Sequence, residues 1–341
     1  MFENITLFLI LSASSVAVTG MVLLFLRKRA ILDHPNHRSS HKVPTPRGGG
    51  IAVTSIILAV WLWQLGPDGA LLDYLPLGVG FLLAGMSWLD DIYDLSAKIR
   101  FLAQLVLTGM SLPWVFQHGI PLEAYLPVWL IAILIILAWT AFINFFNFMD
   151  GIDGISGVEA IGIGLGFTLI TLSSAQSASN PFPTFELAPG LLIAAATAGF
   201  LIWNWHPAKI FLGDVGSIPL GYFLGGLLLV LAARGEWAAA IILPGYYLTD
   251  AGLTLLKRII RREKIWEAHR DHYYQRAVRS GHSHARVSLM IALTNCGLII
   301  LAGWSVAAPY YALAAAAALI GLLIFWMNSR HAEKSRGALH D

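Results

Sequence analysis

Apolar runs close to 20 residues long recur from one end of this 341-residue chain to the other. A helix of about 20 apolar residues is long enough to cross the hydrocarbon core of a bilayer. Only 12% of the residues are charged, against about 25% in a soluble domain. Runs such as LLIAAATAGFLIW lack the alternation that a membrane β-barrel shows. The sequence therefore predicts an all-α, polytopic helical bundle in a membrane.

The apolar runs divide into eleven predicted spans. Their bounds are residues 4–26, 48–65, 75–90, 100–117, 125–147, 155–173, 187–204, 217–233, 237–256, 287–306 and 309–327. A tight turn marked by Pro309 joins the last two runs, so ten spans is the alternative. We expect one integral membrane domain over residues 1–329, followed by a short tail over residues 330–341.

The basic residues are distributed on one side of this topology. If the N-terminus is periplasmic, every Lys and Arg except Arg234 falls in a cytoplasmic loop or in the cytoplasmic C-terminal tail. Every histidine except His118 lies on the same side. The predicted cytoplasmic loops are residues 27–47, 90–100, 144–156, 204–217 and 257–286. Ionisable residues of a transporter concentrate near the bilayer midplane. This pattern favours an enzyme at the membrane–cytosol boundary, and a transporter or flippase of anionic or lipid-linked solutes is the alternative.

Two of these loops each contain a pair of closely spaced aspartates. Asp90 and Asp91 end the third span, where charged residues are ordinary because water begins there. Adjacent carboxylates repel, however, and a bound cation or a proton-transfer role offsets that repulsion. Asn144, Asn147 and Asp150 follow at three-residue spacing, which places them on one helical face. Asp153 completes a DGIDG segment whose simpler interpretation is a turn.

The loop before the eighth span reads NWHPAKIFLGDVGS and contains Asn204, His206, Lys209 and Asp214. We interpret His206 as a structural residue. Asp214 lies between glycines just before a predicted helix, and carboxylates are the ligands that Mg²⁺ prefers. The sequence therefore predicts a metal ligand at Asp214.

The last cytoplasmic loop is strongly basic and contains His269 and His272, whose spacing places both imidazoles on one helical face. Arg270 lies between them in the sequence. Phosphate contact suits these surroundings better than zinc binding, because HRDH lacks the Glu of a zinc protease helix. In the first loop Arg47 precedes three glycines. These glycines either form a flexible start to the second span or let backbone N–H groups approach a phosphate. Several helix N-termini on one surface would also favour a diphosphate ester.

The motifs DD, NFFNFMDGIDG, NWHPAKIFLGDVGS and the late His motif occur in this order over nearly the whole chain. In this the chain resembles the polyprenyl-phosphate N-acetylhexosamine-1-phosphate transferases, the MraY/WecA family. The resemblance implies transfer of a sugar 1-phosphate from a UDP-N-acetylhexosamine to undecaprenyl phosphate in the bacterial inner membrane, with release of UMP. It implies Mg²⁺ as cofactor, with Mn²⁺ as the alternative, and no nucleic-acid partner. A homodimer stays open.

The resemblance also assigns roles to the candidate residues. The implied metal ligands are Asp214 and Asp91. The implied catalytic residues are Asp90, Asp91, Asp150, Asp153, His269 and His272. The implied substrate-binding residues are Lys98, Asn144, Asn147, Asn204, Lys209, Arg47 and Arg270. Direct attack by the lipid phosphate and a route through an aspartyl phosphate are both compatible with this set.

Two segments depart from the muramoyl-peptide branch of that family. The last loop has HRDH where that branch has consecutive histidines, and the first loop reads RSSHKVPTPRGGG. Both resemble the O-antigen-initiating WbpL/WbcO branch, which implies FucNAc, QuiNAc or GlcNAc as the transferred sugar. A phospho-MurNAc-pentapeptide transferase of peptidoglycan synthesis is the alternative.

Overall fold

The computed structural model describes residues 2–33, 43–93, 95–120, 122–174, 188–264 and 269–337. These residues form fourteen α-helices and one pair of two-residue strands. The first seven helices are α1 Phe2–Lys28, α2 Gly50–Leu65, α3 Leu75–Tyr93, α4 Ala97–Met110, α5 Leu112–Phe116, α6 Val128–Phe148 and α7 Ile155–Ser174. The other seven are α8 Pro189–Asn204, α9 Asp214–Ala233, α10 Trp237–Ile242, α11 Gly245–Ile260, α12 Tyr273–Arg279, α13 His284–Ser305 and α14 Pro309–Gly337.

Within the described residues, eight helical segments are long and apolar enough to cross a membrane. Two shorter apolar helices, α2 and α8, pack among them. The predicted all-α, polytopic membrane architecture is therefore confirmed. The sequence did not predict the antiparallel pair β1 Leu32–Asp33 and β2 Thr45–Pro46, which closes the base of the first loop. Residues 34–42 of that loop, which include Arg38 and Lys42, lie outside the described ranges.

The ninth predicted span, residues 237–256, is not one helix. Helix α10 ends at Ile242 and α11 begins at Gly245, with Pro244 between them. Proline has no backbone N–H and its ring clashes with the preceding turn, so a continuous helix is disfavoured there. The second half continues to Ile260, beyond the predicted end, and finishes in basic residues. The apolar run identified buried chain here but did not show the break.

Helix α9 is the centre of the bundle, and almost every residue from Val215 to Leu231 is buried. Helices α2, α3, α6, α7 and α10 pack against it. On one side the rings of Trp139 and Tyr222 stack with centroids 4.9 Å apart, and Trp139 Nε1 donates to the Tyr222 carbonyl at 2.8 Å. Because α9 is enclosed in this way, the position of its first residue, Asp214, is set by several surrounding helices.

A close crossing of two glycines brings α2 against the start of α9. A Cβ on Gly50 would lie 2.2 Å from the Gly216 Cα, so neither position accepts a side chain without movement of the helices. The N–H groups of Gly48 and Gly49 donate to the Phe211 carbonyl at 3.1 and 2.8 Å, and Gly50 N–H donates to the Leu212 carbonyl at 2.8 Å. The glycine run therefore serves helix packing, and its N–H groups are not aimed at a phosphate as one interpretation of the sequence required.

Candidate active site

Asp214, the first residue of α9, lies between two arginines. Arg47 Nη2 is 2.6 Å from Asp214 Oδ1, and Arg100 Nη1 is 3.8 Å from Asp214 Oδ2. Arg100 Nη1 also contacts Asp90 Oδ2 at 2.7 Å. The glycine crossing of α2 and α9 places Arg47 here, and the short α3–α4 turn places Arg100. Two carboxylates from different helices thus lie close to the same nitrogen of one guanidinium.

Asp90 and Asp91 differ in their surroundings although they are adjacent. Asp90 is buried, and its second oxygen accepts from the Leu95 N–H at 2.8 Å. Asp91 is exposed and interacts electrostatically with Arg47 and Asp214. Burial disfavours the charge on Arg47, yet the carboxylates of Asp214 and Asp91 raise its pKa. Asp90 therefore stabilises the α3–α4 turn, whereas the Asp91 side chain is accessible to solvent.

Asp150 joins the same cluster from the α6–α7 turn. Its Oδ1 accepts from Ser156 Oγ at 2.7 Å. Burial raises the pKa of Asp150 to about 6, and repulsion from Asp214 and Asp153 adds to the effect, while Ser156 and Arg47 oppose it. A carboxyl group with a pKa near 6 can hold and release a proton close to neutral pH. We call Asp90, Asp91, Asp150 and Asp214, with Arg47 and Arg100, the acidic cluster.

Asp153 lies three residues further on but faces two histidines. Its Oδ2 is 2.5 Å from His206 Nδ1, and its Oδ1 is 3.3 Å from His284 Nδ1. The Ala208 N–H donates to Oδ2 at 3.2 Å. Burial would raise the pKa of Asp153, but these imidazoles and the N–H hold it below the usual value. Asp153 is therefore an anion enclosed by its own neighbours, in a different environment from Asp150.

The three predicted asparagines have different roles in the structure. Asn204 is buried between two loops, where its Oδ1 accepts from the Gly154 N–H and its Nδ2 donates to the Ile210 carbonyl, both at 2.9 Å. Asn144 Nδ2 donates to Gln104 Oε1 at 2.6 Å, and Asn147 Nδ2 donates to Ser217 Oγ at 3.3 Å. Asn204 thus braces the loops, while Asn144 and Asn147 are half-buried and border an open cavity.

That cavity lies between α4, α6, α9 and α11 and has a volume of about 530 Å³. Most of its wall is apolar, with Phe101, Phe145, Phe148 and Leu255 among the lining residues. Lys98, Arg100, Asn144 and Asn147 line it as well. Arg100 is therefore shared between the cavity wall and the acidic cluster. An amphipathic molecule with an anionic end fits such a wall, because its apolar part and its charge each meet matching side chains.

The late His motif is tied to α11 by a residue that the sequence did not single out. Asp250 is fully buried and accepts from His272 Nδ1 at 3.1 Å and from the N–H groups of Tyr273 and Tyr274 at 3.0 and 3.1 Å. His272 is itself buried, and His269 stacks on it with ring centroids 4.9 Å apart. Burial, His272 and Arg258 lower the pKa of His269 to about 4.

Lys209 and Arg270, two predicted substrate-binding residues, make local contacts. Lys209 Nζ lies 5.2 Å from the centroid of the Trp203 ring. The Arg270 carbonyl accepts from Arg279 Nη1 at 3.3 Å. Neither contact involves the acidic cluster. The Tyr274 hydroxyl, in turn, donates to the Phe148 carbonyl at 3.0 Å, so α12 touches the turn that carries Asp150.

Sequence reasoning missed Arg100, Asp250 and His284 as site residues. Arg100 had a usable signal, since it follows Asp90 by ten residues in a short basic turn between two spans. His284 stands at the start of α13 and meets Asp153 only because α13 packs on α7. Asp250 lies within an apolar run, where an unpaired carboxylate would be costly. Its presence there indicates a buried polar partner, and this was the signal in the sequence.

Acidic and basic side chains at the helix ends, beside an apolar cavity in a bundle of membrane helices, define a membrane-embedded enzyme. The family model described as glycosyl transferase family 4 matches residues 74–232, which include all five predicted acidic site residues. In this match, and in its motifs, the chain is similar to the polyprenyl-phosphate N-acetylhexosamine-1-phosphate transferases, and the similarity supports a sugar-phosphate transferase.

Curated relatives match most of the chain. It is 28% identical over 304 residues to a probable undecaprenyl-phosphate N-acetylglucosaminyl 1-phosphate transferase of Bacillus subtilis. The match covers 86% of this chain and 82% of the relative. It is 29% identical over 316 residues to the decaprenyl-phosphate N-acetylglucosaminephosphotransferase of Mycobacterium leprae, with 81% and 77% covered. A phospho-N-acetylmuramoyl-pentapeptide-transferase of Chlamydia pneumoniae is 27% identical over 274 residues, with 70% and 75% covered.

Proposed function

We propose that the protein transfers an N-acetylhexosamine 1-phosphate from a UDP-sugar to undecaprenyl phosphate and releases UMP. An oxygen of the lipid phosphate attacks the sugar-bearing phosphorus, and the bond from that phosphorus to the bridging oxygen breaks. UMP leaves with the bridging oxygen, and the product is the lipid diphosphate sugar. The observation that carries the proposal is the joint position of Arg100, which lines the apolar cavity and contacts two carboxylates of the acidic cluster.

The cavity accounts for the lipid substrate. Its phenylalanine-rich wall suits a polyprenyl chain, and Lys98 and Arg100 on the same wall suit the phosphate at the end of that chain. The attacking oxygen would then stand beside the acidic cluster. Holding two reactants in this way supplies a large part of the rate enhancement in phosphoryl transfer.

The acidic cluster accounts for the diphosphate. Asp90, Asp91, Asp150 and Asp214 offer only carboxylate oxygens, which is the donor type that Mg²⁺ takes, and Asp214 and Asp91 are the ligands we assign. Bound Mg²⁺ would neutralise charge on the diphosphate. Arg47 and Arg100 add fixed positive charge beside Asp214. Asp150 can accept the proton of the lipid phosphate, because its pKa of about 6 lies near that of a phosphate monoester.

Asp153, His269 and His272 were also predicted to act in catalysis. Their contacts with His206, His284 and Asp250 favour positioning roles instead. Asn144 and Asn147 border the cavity and suit substrate contact, as predicted. Asn204 acts through the loops that it joins. Substrate binding by Lys209 and Arg270 stays a prediction, and a homodimer stays open.

The bias of basic residues supports a multi-pass inner-membrane protein with its active site on the cytoplasmic side. In this topology the N-terminus is periplasmic, the C-terminus is cytoplasmic, and the α10–α11 segment counts as one of eleven spans. The donors to compare first are UDP-GlcNAc, because several relatives are named for N-acetylglucosamine, and the UDP forms of FucNAc and QuiNAc that the loop motifs favour. Transfer from UDP-FucNAc or UDP-QuiNAc would support a role in initiating O-antigen synthesis.

The test is a transfer assay with purified protein, undecaprenyl phosphate, Mg²⁺ and a panel of labelled UDP-sugars that includes UDP-MurNAc-pentapeptide. We expect label in the butanol phase and one UMP for each lipid product with one of the N-acetylhexosamine donors. Transfer of MurNAc-pentapeptide alone would support the peptidoglycan alternative. Absence of label in the organic phase with every donor would overturn the proposed reaction.

A pair of variants connects the reaction to the acidic cluster. Asp214→Asn should reduce turnover by about a thousandfold or more, since it removes a charge that offsets several kcal/mol in the transition state. Glu123→Gln, in an exposed loop on the other side of the bundle, is the matched control and should keep full turnover. Near-normal turnover of Asp214→Asn at saturating Mg²⁺ would remove Asp214 from the metal site.

A further inference from the structure

Outside the acidic cluster, three side chains that commonly bind metals converge on one point. They are Asp153 from the α6–α7 turn, His206 from the α8–α9 loop and His284, the first residue of α13. One potential ligand atom from each lies within 4.8 Å of the other two. Asp153 and His284 are buried, whereas the His206 side chain is 39% exposed, so the group opens to solvent on one side.

The hydrogen bonds within this group conflict with one another. The Asp153 N–H donates to His284 Nδ1 at 3.4 Å, which requires a lone pair on that nitrogen. The same nitrogen lies 3.3 Å from Asp153 Oδ1, where a hydrogen bond would require a proton on it. One tautomer therefore directs a nitrogen lone pair at a carboxylate, and the other leaves the Asp153 N–H without this acceptor.

Protonation of both histidines does not remove the conflict. The two imidazole rings lie 5.1 Å apart, and within this group Asp153 is the carboxylate that both face. Two imidazolium charges at that spacing repel each other, and one carboxylate balances only one of them. A cation between the three ligand atoms removes the repulsion between the His284 lone pair and the carboxylate, since the ion attracts the Nδ1 lone pairs of both rings and the carboxylate; the Asp153 N–H then gives up Nδ1 as its acceptor.

We propose that Asp153, His206 and His284 bind one divalent ion of the Zn²⁺, Co²⁺ or Ni²⁺ type. Two imidazole nitrogens and one carboxylate oxygen select such ions over Mg²⁺, which prefers oxygen ligands. Zinc–nitrogen bonds of about 2.0–2.1 Å place neighbouring ligands a little over 3 Å apart, so shifts on the order of 1 Å complete the site. The exposed side of His206 leaves a coordination position for water.

A bound ion would join three segments that are far apart in the sequence. It would cross-link the α6–α7 turn, the α8–α9 loop and the start of α13, and Asp150 lies three residues before its first ligand. Binding to the folded state alone stabilises that state by mass action. The site therefore couples Zn²⁺-type ions to the order of the loops around the acidic cluster, independently of which sugar is transferred.

The test is a Co²⁺ titration of full-length protein in detergent, purified without a polyhistidine tag, followed by the visible absorption of the bound ion. We expect wild-type protein to bind about one Co²⁺ per chain at the three-ligand site. His206→Gln and His284→Ala should lose this binding. Excess Mg²⁺ should not displace the ion, and Zn²⁺ should. Zn²⁺ should also raise the Tm of the wild type and leave that of His206→Gln unchanged.

Two controls separate this site from others. His118→Ala removes a histidine on the opposite face and should bind Co²⁺ as the wild type does. Asp214→Asn alters the acidic cluster and should also keep the Co²⁺ spectrum, which makes the result independent of the proposed transfer reaction. No saturable Co²⁺ spectrum in the wild type, an undiminished one in His206→Gln, displacement by Mg²⁺, or loss of binding in Asp214→Asn would each overturn the proposal. Because His206 is partly exposed, its Gln variant should fold, and its gel-filtration profile checks this.

Discussion

The Asp250 carboxylate lies 3.1 Å from Nδ1 of His272, and both side chains are buried. The same carboxylate accepts the first two N–H groups of α12, those of Tyr273 and Tyr274. Tyr274 then reaches the carbonyl of Phe148. A buried acid on α11 thereby fixes the late His motif and links it to the turn that carries Asp150. This relationship explains why His272 faces the interior of the protein.

Asp250→Asn should lower the free energy of unfolding by about 1–3 kcal/mol. The amide replaces one acceptor oxygen with an NH₂ group, which would face the donors now bound to that oxygen. Chemical unfolding in detergent, followed by tryptophan fluorescence, measures the change. Glu123→Gln, with its exposed side chain, is the control. A stability of Asp250→Asn within about 0.5 kcal/mol of the wild type would contradict this role.

Ser156→Ala should move the acid limb of the turnover profile to higher pH. Ser156 donates to Asp150 and favours its ionised form, so its loss raises the Asp150 pKa further above about 6. If turnover requires ionised Asp150, activity is then lost earlier as the pH falls. UMP release measured against pH gives the limb. Ser305→Ala, which removes a local bond to the Ala302 carbonyl, should leave the profile unchanged. An acid limb in Ser156→Ala identical to the wild type would sink this assignment.

Arg100→Ala should raise the KM for undecaprenyl phosphate by about tenfold, equivalent to about 1.4 kcal/mol. The guanidinium lines the cavity and contacts Asp90, so its loss removes a phosphate partner and releases the α3–α4 turn. Arg100→Lys keeps the charge but loses the planar two-pronged geometry of the guanidinium, so its KM should lie between those of the wild type and Arg100→Ala. Steady-state kinetics with varied lipid measures the effect.

The control for this series is Arg29→Ala, which removes a cation at the end of α1 that lies 5.7 Å from the Phe25 ring centroid. Its KM should equal that of the wild type. An equal rise in both variants would mean that the effect comes from general surface charge, because any cation on this face would then contribute alike.

Glu159→Gln should change the stability by less than about 1 kcal/mol, whereas Asn295→Leu should cost about 2–3 kcal/mol. Both side chains are buried, and Asn295 Nδ2 donates to Glu159 Oε2 at 2.9 Å. The remaining oxygens of the pair, Glu159 Oε1 and Asn295 Oδ1, have no hydrogen-bond partner in the described structure. A protonated Glu159 can donate from Oε1 to Asn295 Oδ1, and the NH₂ group of the glutamine in Glu159→Gln can donate to the same oxygen. Asn295→Leu instead removes the Nδ2 donor on which the buried Glu159 carboxyl depends.

The same fluorescence-monitored unfolding distinguishes the two variants. Thr294→Val is the neighbouring control on α13, since the Thr294 hydroxyl bonds only within its own helix to the Met290 carbonyl. A larger loss for Glu159→Gln than for Asn295→Leu would show that Glu159 acts as a charged group, contrary to the pairing described above.

The part of the site that could be predicted well is that acidic residues far apart in the sequence lie together. Asp91, Asp150 and Asp214 are widely separated in the chain, yet helices that end on one face of a membrane bring their ends to one surface. In the structure Asp91 and Asp150 each interact electrostatically with Asp214. Asp153 shares that surface and could not be separated from Asp150 by sequence, because the distinction depends on two histidines from other elements.

The sequence by itself determined the helical membrane class, most helix positions and the grouping of acidic residues at helix ends, because bilayer thickness and charge bias act on each segment independently. Only the tertiary structure decided that Arg47 pairs with Asp214, that Asp250 holds His272 and that α10 and α11 are separate helices. The first two depend on close packing between segments far apart in the chain, such as the crossing of Gly50 and Gly216. Such contacts follow from the shapes of both partners, and hydropathy along one segment carries no information about the other.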